Sequence, residues 1–443
     1  MAAFTIQRIP GTRDFYPDDM RLRNWLFGTM RSVAERYGYE EYDGPLLEPY
    51  DLFAAKSGDQ LVADEMYTLT DRGGRRLGIR PEMTPTLARM VAQRQMALPK
   101  PIKWFSIPAC WRYERPQKGR VREHWQWNVD VLGVPGVEAE AEIIAVFVSF
   151  LREVGLTERE FCVRVGHREW LAAALGRLGV PSERHLAVLR AIDRREKVPS
   201  DVFEQQLAEA GLDKRQVTGL IDLLDAADYG DSPPIRELMR LLDLYGLGAY
   251  CVFDPTIVRG LAYYTSTVYE IWDARRELRA IAGGGRYDDL TVALGGQRLP
   301  GAGMAMGDVV VSLLLEREGK LPATTRQLDV FVACYSAEET GDAIRVAQRL
   351  RESGLRVERS LTATSLSNQL RQAEVAGARF AVILAPDELS RNQVVLRDLG
   401  TGQQSVIAIG QIDVAVTKGK IRGIFPTPIE GRRSCFRTGG VGQ

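Results

Sequence analysis

Residues 259 to 270, Arg-Gly-Leu-Ala-Tyr-Tyr-Thr-Ser-Thr-Val-Tyr-Glu, set a fixed cation beside two phenolic hydroxyls. An arginine presents a planar fork of donors and stays charged at any working pH, which suits a carboxylate or a phosphate and suits neither a metal nor a hydride. Tyr263, Thr265, Thr267 and Tyr269 recur at every second position, the period of a strand, so one set would face a pocket and the other a core, with Arg259 at the mouth. Such a segment is equipped to hold an anion and a small polar ligand together.

Three further segments carry side chains of the same kind. In Arg80-Pro-Glu-Met-Thr-Pro-Thr86, Glu82 and Thr84 share one face of an extended stretch between prolines that forbid a helix, and both are able to meet an ammonium group. Cys110 to Leu132 reads as a hairpin of two strands joined by a long basic loop. Arg112 and Glu114 alternate on its first strand, and Gln126, Asn128 and Asp130 alternate on its second. In Ala282-Gly-Gly-Gly-Arg-Tyr-Asp288, the glycines Gly283, Gly284 and Gly285 leave room for a ligand against bare backbone.

The elements that must position these groups follow from periodicity. Arg21 to Tyr37 and Glu138 to Val154 have the apolar spacing of amphipathic helices, set among strands over residues 1–166. Residues 167–250 change texture, with helical spacing and little strand character, and are expected to be a helical insertion. Strand and glycine segments resume over 251–320. After a polar joint, residues 327–420 alternate strand and helix, from the apolar run Leu328 to Cys334 through a helix stopped at Gly354, as in a small α/β domain with a largely buried sheet. Residues 421–443, with Pro426, Pro428, Arg432 and Arg433, are expected to be a flexible tail.

Composition excludes more than it selects. A chain of 443 residues calls for two or three domains. Five cysteines, at 110, 162, 251, 334 and 435, make neither a paired spacing nor a metal pattern, which fits free thiols in a reducing cytoplasm. Three histidines, His124, His167 and His185, argue against a histidine-built metal site or a Ser-His-Asp hydrolase. No apolar run approaches the ~20 residues needed to span a bilayer, and the N-terminus lacks a signal-peptide core. With 58 basic and 58 acidic residues the net charge is zero, so a nucleic-acid partner would have to be met by local patches. The loop after Cys110 is one, holding Arg112, Arg115, Lys118, Arg120 and Arg122 against Glu114 alone, with Pro116 and Gly119 keeping it out of a helix.

Taken together, these segments resemble the class II aminoacyl-tRNA synthetases and, among them, the histidyl-tRNA synthetase family. Arg259-Gly-Leu-Ala-Tyr-Tyr is similar to that family's histidine signature, and Trp111-Arg-Tyr-Glu-Arg-Pro-Gln to its motif 2. Gly11-Thr-Arg-Asp-Phe and the stretch from Gly38 through Pro45 to Glu48 resemble its opening segment and motif 1, and the likeness runs to about residue 420. It implies an α+β fold: an antiparallel sheet flanked by helices, with a helical insertion and a C-terminal anticodon-binding α/β domain. It also implies a ligase that joins L-histidine to tRNA(His), with ATP as substrate and Mg2+ as cofactor, no other metal, and a homodimer built through motif 1.

Residue by residue, the resemblance puts Arg112 and Arg259 on the α-phosphate and Glu82, Thr84 and Gln126 on the α-ammonium. Asp130 and Tyr264 fall to the two imidazole nitrogens, with Tyr263, Gly283, Gly284, Gly285 and Tyr287 as the wall. Glu114 and Gly307 join Arg112 and Arg259 around ATP. Arg115, Gln117, Lys118, Arg120 and Arg122 would meet the tRNA acceptor end. Two positions depart from the family pattern: Val310 stands where motif 3 has an arginine, so that either another cation, Arg279 or Arg298, takes its role or nucleotide binding is looser than usual, and Ala262 stands where the signature has aspartate. The same resemblance extends to a non-catalytic relative, the regulatory subunit of ATP phosphoribosyltransferase, which lacks the terminal RNA-binding domain.

Overall fold

A computed structural model of the chain describes residues 7–54, 65–230, 232–259, 263–323, 326–362 and 364–421. Ala262 and the expected tail beyond residue 421 lie outside them. The chain divides into two units, Met1–Pro322 and Ala323–Gln443.

The first unit is built on a mainly antiparallel sheet. Its strands, in chain order, are β1 (Glu40–Glu41), β2 (Leu47–Pro49), β3 (Thr68–Thr70), β4 (Arg76–Ile79), β5 (Ile102–Ser106), β6 (Ala109–Trp111), β7 (Glu123–Leu132), β8 (Phe161–His167), β9 (Cys251–Phe253), β10 (Thr267–Asp273), β11 (Ala282–Arg286) and β12 (Gly301–Gly307). Across the main sheet the order is β1-β5-β7-β12-β11-β10-β8-β9, with β6 paired to the start of β7, while β2, β4 and β3 form a small sheet of their own. From β5 to β8 every pairing is antiparallel.

Two helices cover one face of this sheet. Pro17–Arg36 starts with a proline in its first turn, where a missing N–H costs nothing, has Asp18 and Asp19 at its positive end, and buries Leu22, Leu26, Met30 and Val33 at helical spacing. Glu138–Glu153 is almost wholly buried. Against them pack alternate residues of the strands: Trp127, Val129 and Val131 from β7, Met304 and Met306 from β12, Tyr269 and Ile271 from β10. A buried ion pair crosses the same layer, with Arg286 Nε donating to Glu140 Oε1 at 2.7 Å; it anchors the end of β11 to the second helix.

Three local expectations need correction. Thr84 is not extended: it opens the helix Thr84–Arg94, because Pro85 falls in the first turn, where proline is tolerated. β6 ends at Trp111, so Arg112 and Glu114 lie in the loop rather than on the strand. β10 begins only at Thr267, so Arg259, Tyr263 and Tyr264 belong to irregular chain before it.

Helices Arg168–Arg177, His185–Ile192, Ser200–Glu209 and Lys214–Ala226 close around a core of their own that includes Leu175, Val188, Leu207 and Leu220. Helix Pro233–Leu244 instead buries Leu238 and Leu242 in the main core. The stretch expected as one insertion therefore holds two packing environments.

The second unit carries β13 (Leu328–Cys334), β14 (Val357–Arg359), β15 (Ala378–Leu384), β16 (Gln393–Asp398) and β17 (Gln404–Ala408), in the order β14-β13-β15-β16-β17. β13 pairs in parallel with β14 and β15, and the last two strands return antiparallel. Val330 and Val332 face the helix Thr340–Glu352, whereas Phe331 and Ala333 face the helix Leu366–Val375, which explains the apolar run from Val330 to Ala333 in β13.

Candidate active site

The uncovered face of the main sheet forms the floor of a solvent-open cleft. Strand register dictates what meets there. Asn128 of β7, Ala305 of β12, Gly283 of β11 and Glu270 of β10 lie level across four strands. Asp130, Gly303, Gly285 and Val268 make the next row.

Each glycine in these rows admits a neighbouring side chain. A Cβ on Gly283 would overlap the guanidinium of Arg259, which lies across that bare backbone with Nη1 donating to Glu270 Oε1 at 3.0 Å. A Cβ on Gly285 would stand 2.8 Å from the ring of Tyr264, and one on Gly303 would overlap Asp130 Oδ1. Gly284 faces the other way, against Gly303 and the Tyr269 ring. The expected triple-glycine wall is therefore corrected: Gly283 lines the cleft, while Gly284 and Gly285 do not. The space they free is filled by the protein's own Arg259 and Tyr264.

Arg259 reaches this position with φ of 47°, in the left-handed region that a non-glycine residue enters at a cost of about 1–3 kcal/mol. Strain of that kind persists where surrounding contacts hold it, here Glu270 on one side and the Tyr264 ring 5.8 Å away on another. The rings of Tyr263 and Tyr264 pack with centroids 4.5 Å apart, tilted by 43°, and burial raises both phenol pKa values, so both remain protonated donors at neutral pH. Tyr287 donates to Asp130 Oδ1, its proton retained by burial and by that carboxylate.

Arg112 closes another side. Its Nε donates to Pro81 O at 3.0 Å, which ties the guanidinium to the segment that carries Glu82 and Thr84. That segment is in turn held by Arg80, whose side chain reaches Asp43, Gly44 O and Ala109 O. Glu82, Thr84, Arg112, Gln126, Asp130, Arg259, Tyr263, Tyr264, Gly283 and Tyr287, ten positions anticipated from sequence, line the one cleft. Asn128, Gly303, Met304 and Ala305 line it too and had been given no role. Asn128 could have been found, since it sits midway in the alternation from Gln126 to Asp130.

Glu114 and Gly307 are not among the lining residues. Glu114 is buried in an ion pair with Arg120, and its Oε1 lies 4.0 Å from Arg112; Gly307 ends β12 and caps the helix Asp308–Arg317. In the basic loop Arg115, Gln117 and Lys118 are exposed. Arg120 is committed to Glu114, and Arg122 donates to Glu114 O at 3.2 Å and lies over the Tyr113 ring. No histidine is among the residues lining the cleft: burial, helped by Arg112 and Arg13, pushes His124 down to about 3, and burial with Arg286 pushes His167 down to about 4, where it caps a helix by accepting from Trp170 N.

Known proteins match this chain along most of its length. A family model described as histidyl-tRNA synthetase matches residues 11–308, and one described as an anticodon binding domain matches residues 329–418. A histidine--tRNA ligase of Opitutus terrae is 41% identical over 432 residues, with 93% of this chain and 98% of that one covered. The chloroplastic/mitochondrial histidine--tRNA ligase of Arabidopsis thaliana is 38% identical over 414 residues, with coverages of 91% and 85%. The crystal structure of histidyl-tRNA synthetase from Nostoc sp. shares the fold, with a TM-score of 0.79 at 24% identity over 94% of this chain and 100% of that one. Every residue of the cleft falls within the stretch that the first family model matches, and the chain belongs to the histidyl-tRNA synthetase family.

Proposed function

We propose that this chain is a histidine--tRNA ligase, an aminoacyl-tRNA synthetase that uses ATP to join L-histidine to tRNA(His) through a histidyl-adenylate. One observation carries the reading: Arg112 and Arg259, 147 residues apart in sequence, line a single cleft together with donors and acceptors suited to a histidine molecule. In activation a carboxylate oxygen of histidine attacks the α-phosphorus, the new O–P bond forms and pyrophosphate leaves with the electrons of the old one. The carboxylate is already ionised at neutral pH, so no side-chain base is needed. Positioning and neutralisation of the spreading negative charge carry the step, and two fixed guanidiniums supply them in a partly dehydrated site.

Glu82, Thr84 and Gln126 take the α-ammonium group. Asp130 accepts from one imidazole nitrogen while the protonated Tyr264 donates to the other, since a neutral imidazole needs one partner of each kind. Tyr287 keeps Asp130 aimed. A side chain without that pattern leaves buried polar groups unpaired, which gives discrimination of ~10⁴ without editing. Glu114, with Glu65 beside it, would be the carboxylate to hold Mg2+, a cation bound through one or two carboxylates plus phosphate oxygens, and would have to share itself with Arg120 to do so. When bound, Mg2+ would neutralise charge on the triphosphate.

Arg115, Gln117 and Lys118 are exposed on the loop beside the cleft and are assigned to the acceptor end of the tRNA. In the second unit the match to an anticodon binding domain supports RNA binding, and a cleft at the C-terminal ends of β13 and β14 has Ser336, Arg359, Thr362 and Thr364 on its walls. A homodimer is supported by the motif 1 likeness and by exposed Leu46, Leu47 and Leu69 on or beside the small sheet. The cytoplasm is the assigned compartment; no helix among the described residues is long and apolar enough to cross a membrane.

Histidine-dependent exchange of pyrophosphate into ATP tests the activity. Exchange that requires histidine supports it; histidine binding without exchange would instead favour the regulatory subunit of ATP phosphoribosyltransferase. The match to an anticodon-binding domain and the retained arginines weigh for the ligase.

A further inference from the structure

The backbone of Arg259, at φ of 47°, delivers its side chain to the bare backbone of Gly283, and what holds the guanidinium there is a carboxylate. Arg259 Nη1 donates to Glu270 Oε1 at 3.0 Å, while Glu270 Oε2 accepts from the indole N–H of Trp272 at 2.9 Å. Both oxygens of Glu270 are thus engaged, one by the arginine and one by a ring two residues further along β10, on the same face of the strand. Together these bonds fix the plane of the carboxylate and with it the direction of Nη1.

Register explains why this carboxylate is available. Glu270 is level with Gly283 on β11 and with Arg164 on β8, so it stands between two arginines. Arg164 is already committed to Asp254 and to Glu196, whose Oε1 lies 3.0 Å from its Nη2. Glu270 is left to Arg259. Among the described residues only Nη1 of Arg259 is hydrogen-bonded, and its buried Nε has no partner. One corner of the guanidinium is anchored, and its remaining donors are available to an anion. Glu270 itself is not among the residues that line the cleft, whereas Arg259 is.

We propose that Glu270, held by Trp272, is the positioning residue that aims Arg259 at the α-phosphate of ATP. This rests on the ligase reading and adds two residues to it. A carboxylate so near a phosphate site repels the triphosphate, so as a bystander it would only weaken ATP binding. Its gain lies in holding the fork in place, where a misplacement of about 1 Å costs ~10²-fold in rate.

The test compares Glu270→Ala, Glu270→Gln and Trp272→Phe with the unaltered protein, and repeats Glu270→Ala in an Arg259→Ala background, by histidine-dependent exchange and by calorimetric titration of ATP and of histidine. Glu270→Ala should slow exchange by about 10- to 100-fold and weaken ATP binding, with histidine affinity unchanged. Glu270→Gln, whose amide has one oxygen for two donors, should fall between the two, and Trp272→Phe should lose less than Glu270→Ala. In the Arg259→Ala background, Glu270→Ala should change rate and ATP affinity by less than about 2-fold, because the group it acts through is gone. Tighter ATP binding or undiminished exchange in Glu270→Ala, a full loss repeated without Arg259, or an equal loss of histidine affinity would overturn the assignment. Absence of histidine-dependent exchange in the unaltered protein would sink the ligase reading instead, and the cycle in ATP affinity, which needs no turnover, would still decide the role of Glu270.

Discussion

The two faces of the central sheet are made by the same strands and do opposite work. On the helix-covered face, Trp127, Val129, Met306 and Tyr269 are sealed in a dry core, and the ion pair of Arg286 with Glu140 is buried with them. On the other face, the intervening residues Gln126, Asn128 and Asp130 and the bare backbone of Gly283 and Gly303 stay open to a ligand. One residue of register separates a group that stabilises the fold from a group that meets a substrate. Substitutions on the two faces should therefore fail in different ways.

The largest effect is expected from Arg286→Ala on the core face. It leaves Glu140 buried without its partner, so unfolding free energy in a denaturant titration should drop by about 3–5 kcal/mol. Arg259→Ala on the open face should leave that titration unchanged within error and slow exchange by ~10²- to 10³-fold. An Arg259→Ala protein that melts early yet turns over normally would erase the distinction between the faces.

Adjacent glycines sharpen the contrast. At Gly284 a Cβ meets the backbone of Gly303 and the Tyr269 ring, neither of which can swing aside, so Gly284→Ala should cost about 1–3 kcal/mol of stability. At Gly283 the obstacle is the far end of Arg259, which is able to move, so Gly283→Ala should fold normally and lose ~10- to 100-fold in exchange as the guanidinium is displaced. Paired melting and exchange measurements on both variants check this. The smallest effect belongs to Tyr287→Phe, which removes one hydrogen bond to Asp130 and should raise KM for histidine by about 5- to 10-fold, about 1 kcal/mol, with kcat for exchange little altered.

How much of this was legible in the sequence depended on the range of the interaction. Apolar spacing located the helices Pro17–Arg36 and Glu138–Glu153 within a few residues, and alternation along β7 picked out Gln126 and Asp130. Thr84 escaped because a proline three positions after Glu82 disrupts a helix interior but not a first turn. Tyr263 and Thr265 continue the alternation of β10 on paper, yet the chain there bends to deliver Arg259 to Gly283, a contact 24 residues away. Three glycines in a row announce room without saying on which face. The pair of Arg286 with Glu140, 146 residues apart, leaves no local trace. β17, short and largely exposed, carries too little apolar pattern to be recognised.

The claim on which the rest stands is that the guanidiniums of Arg112 and Arg259 meet at one phosphate beside a bound histidine. A crystal structure with L-histidine and a non-hydrolysable ATP analogue measures this directly. Both guanidiniums should lie within hydrogen-bond distance of the α-phosphate, with the imidazole between Asp130 and Tyr264. A structure in which either arginine stays on Pro81 O or Glu270, with the α-phosphate out of its reach, would contradict it.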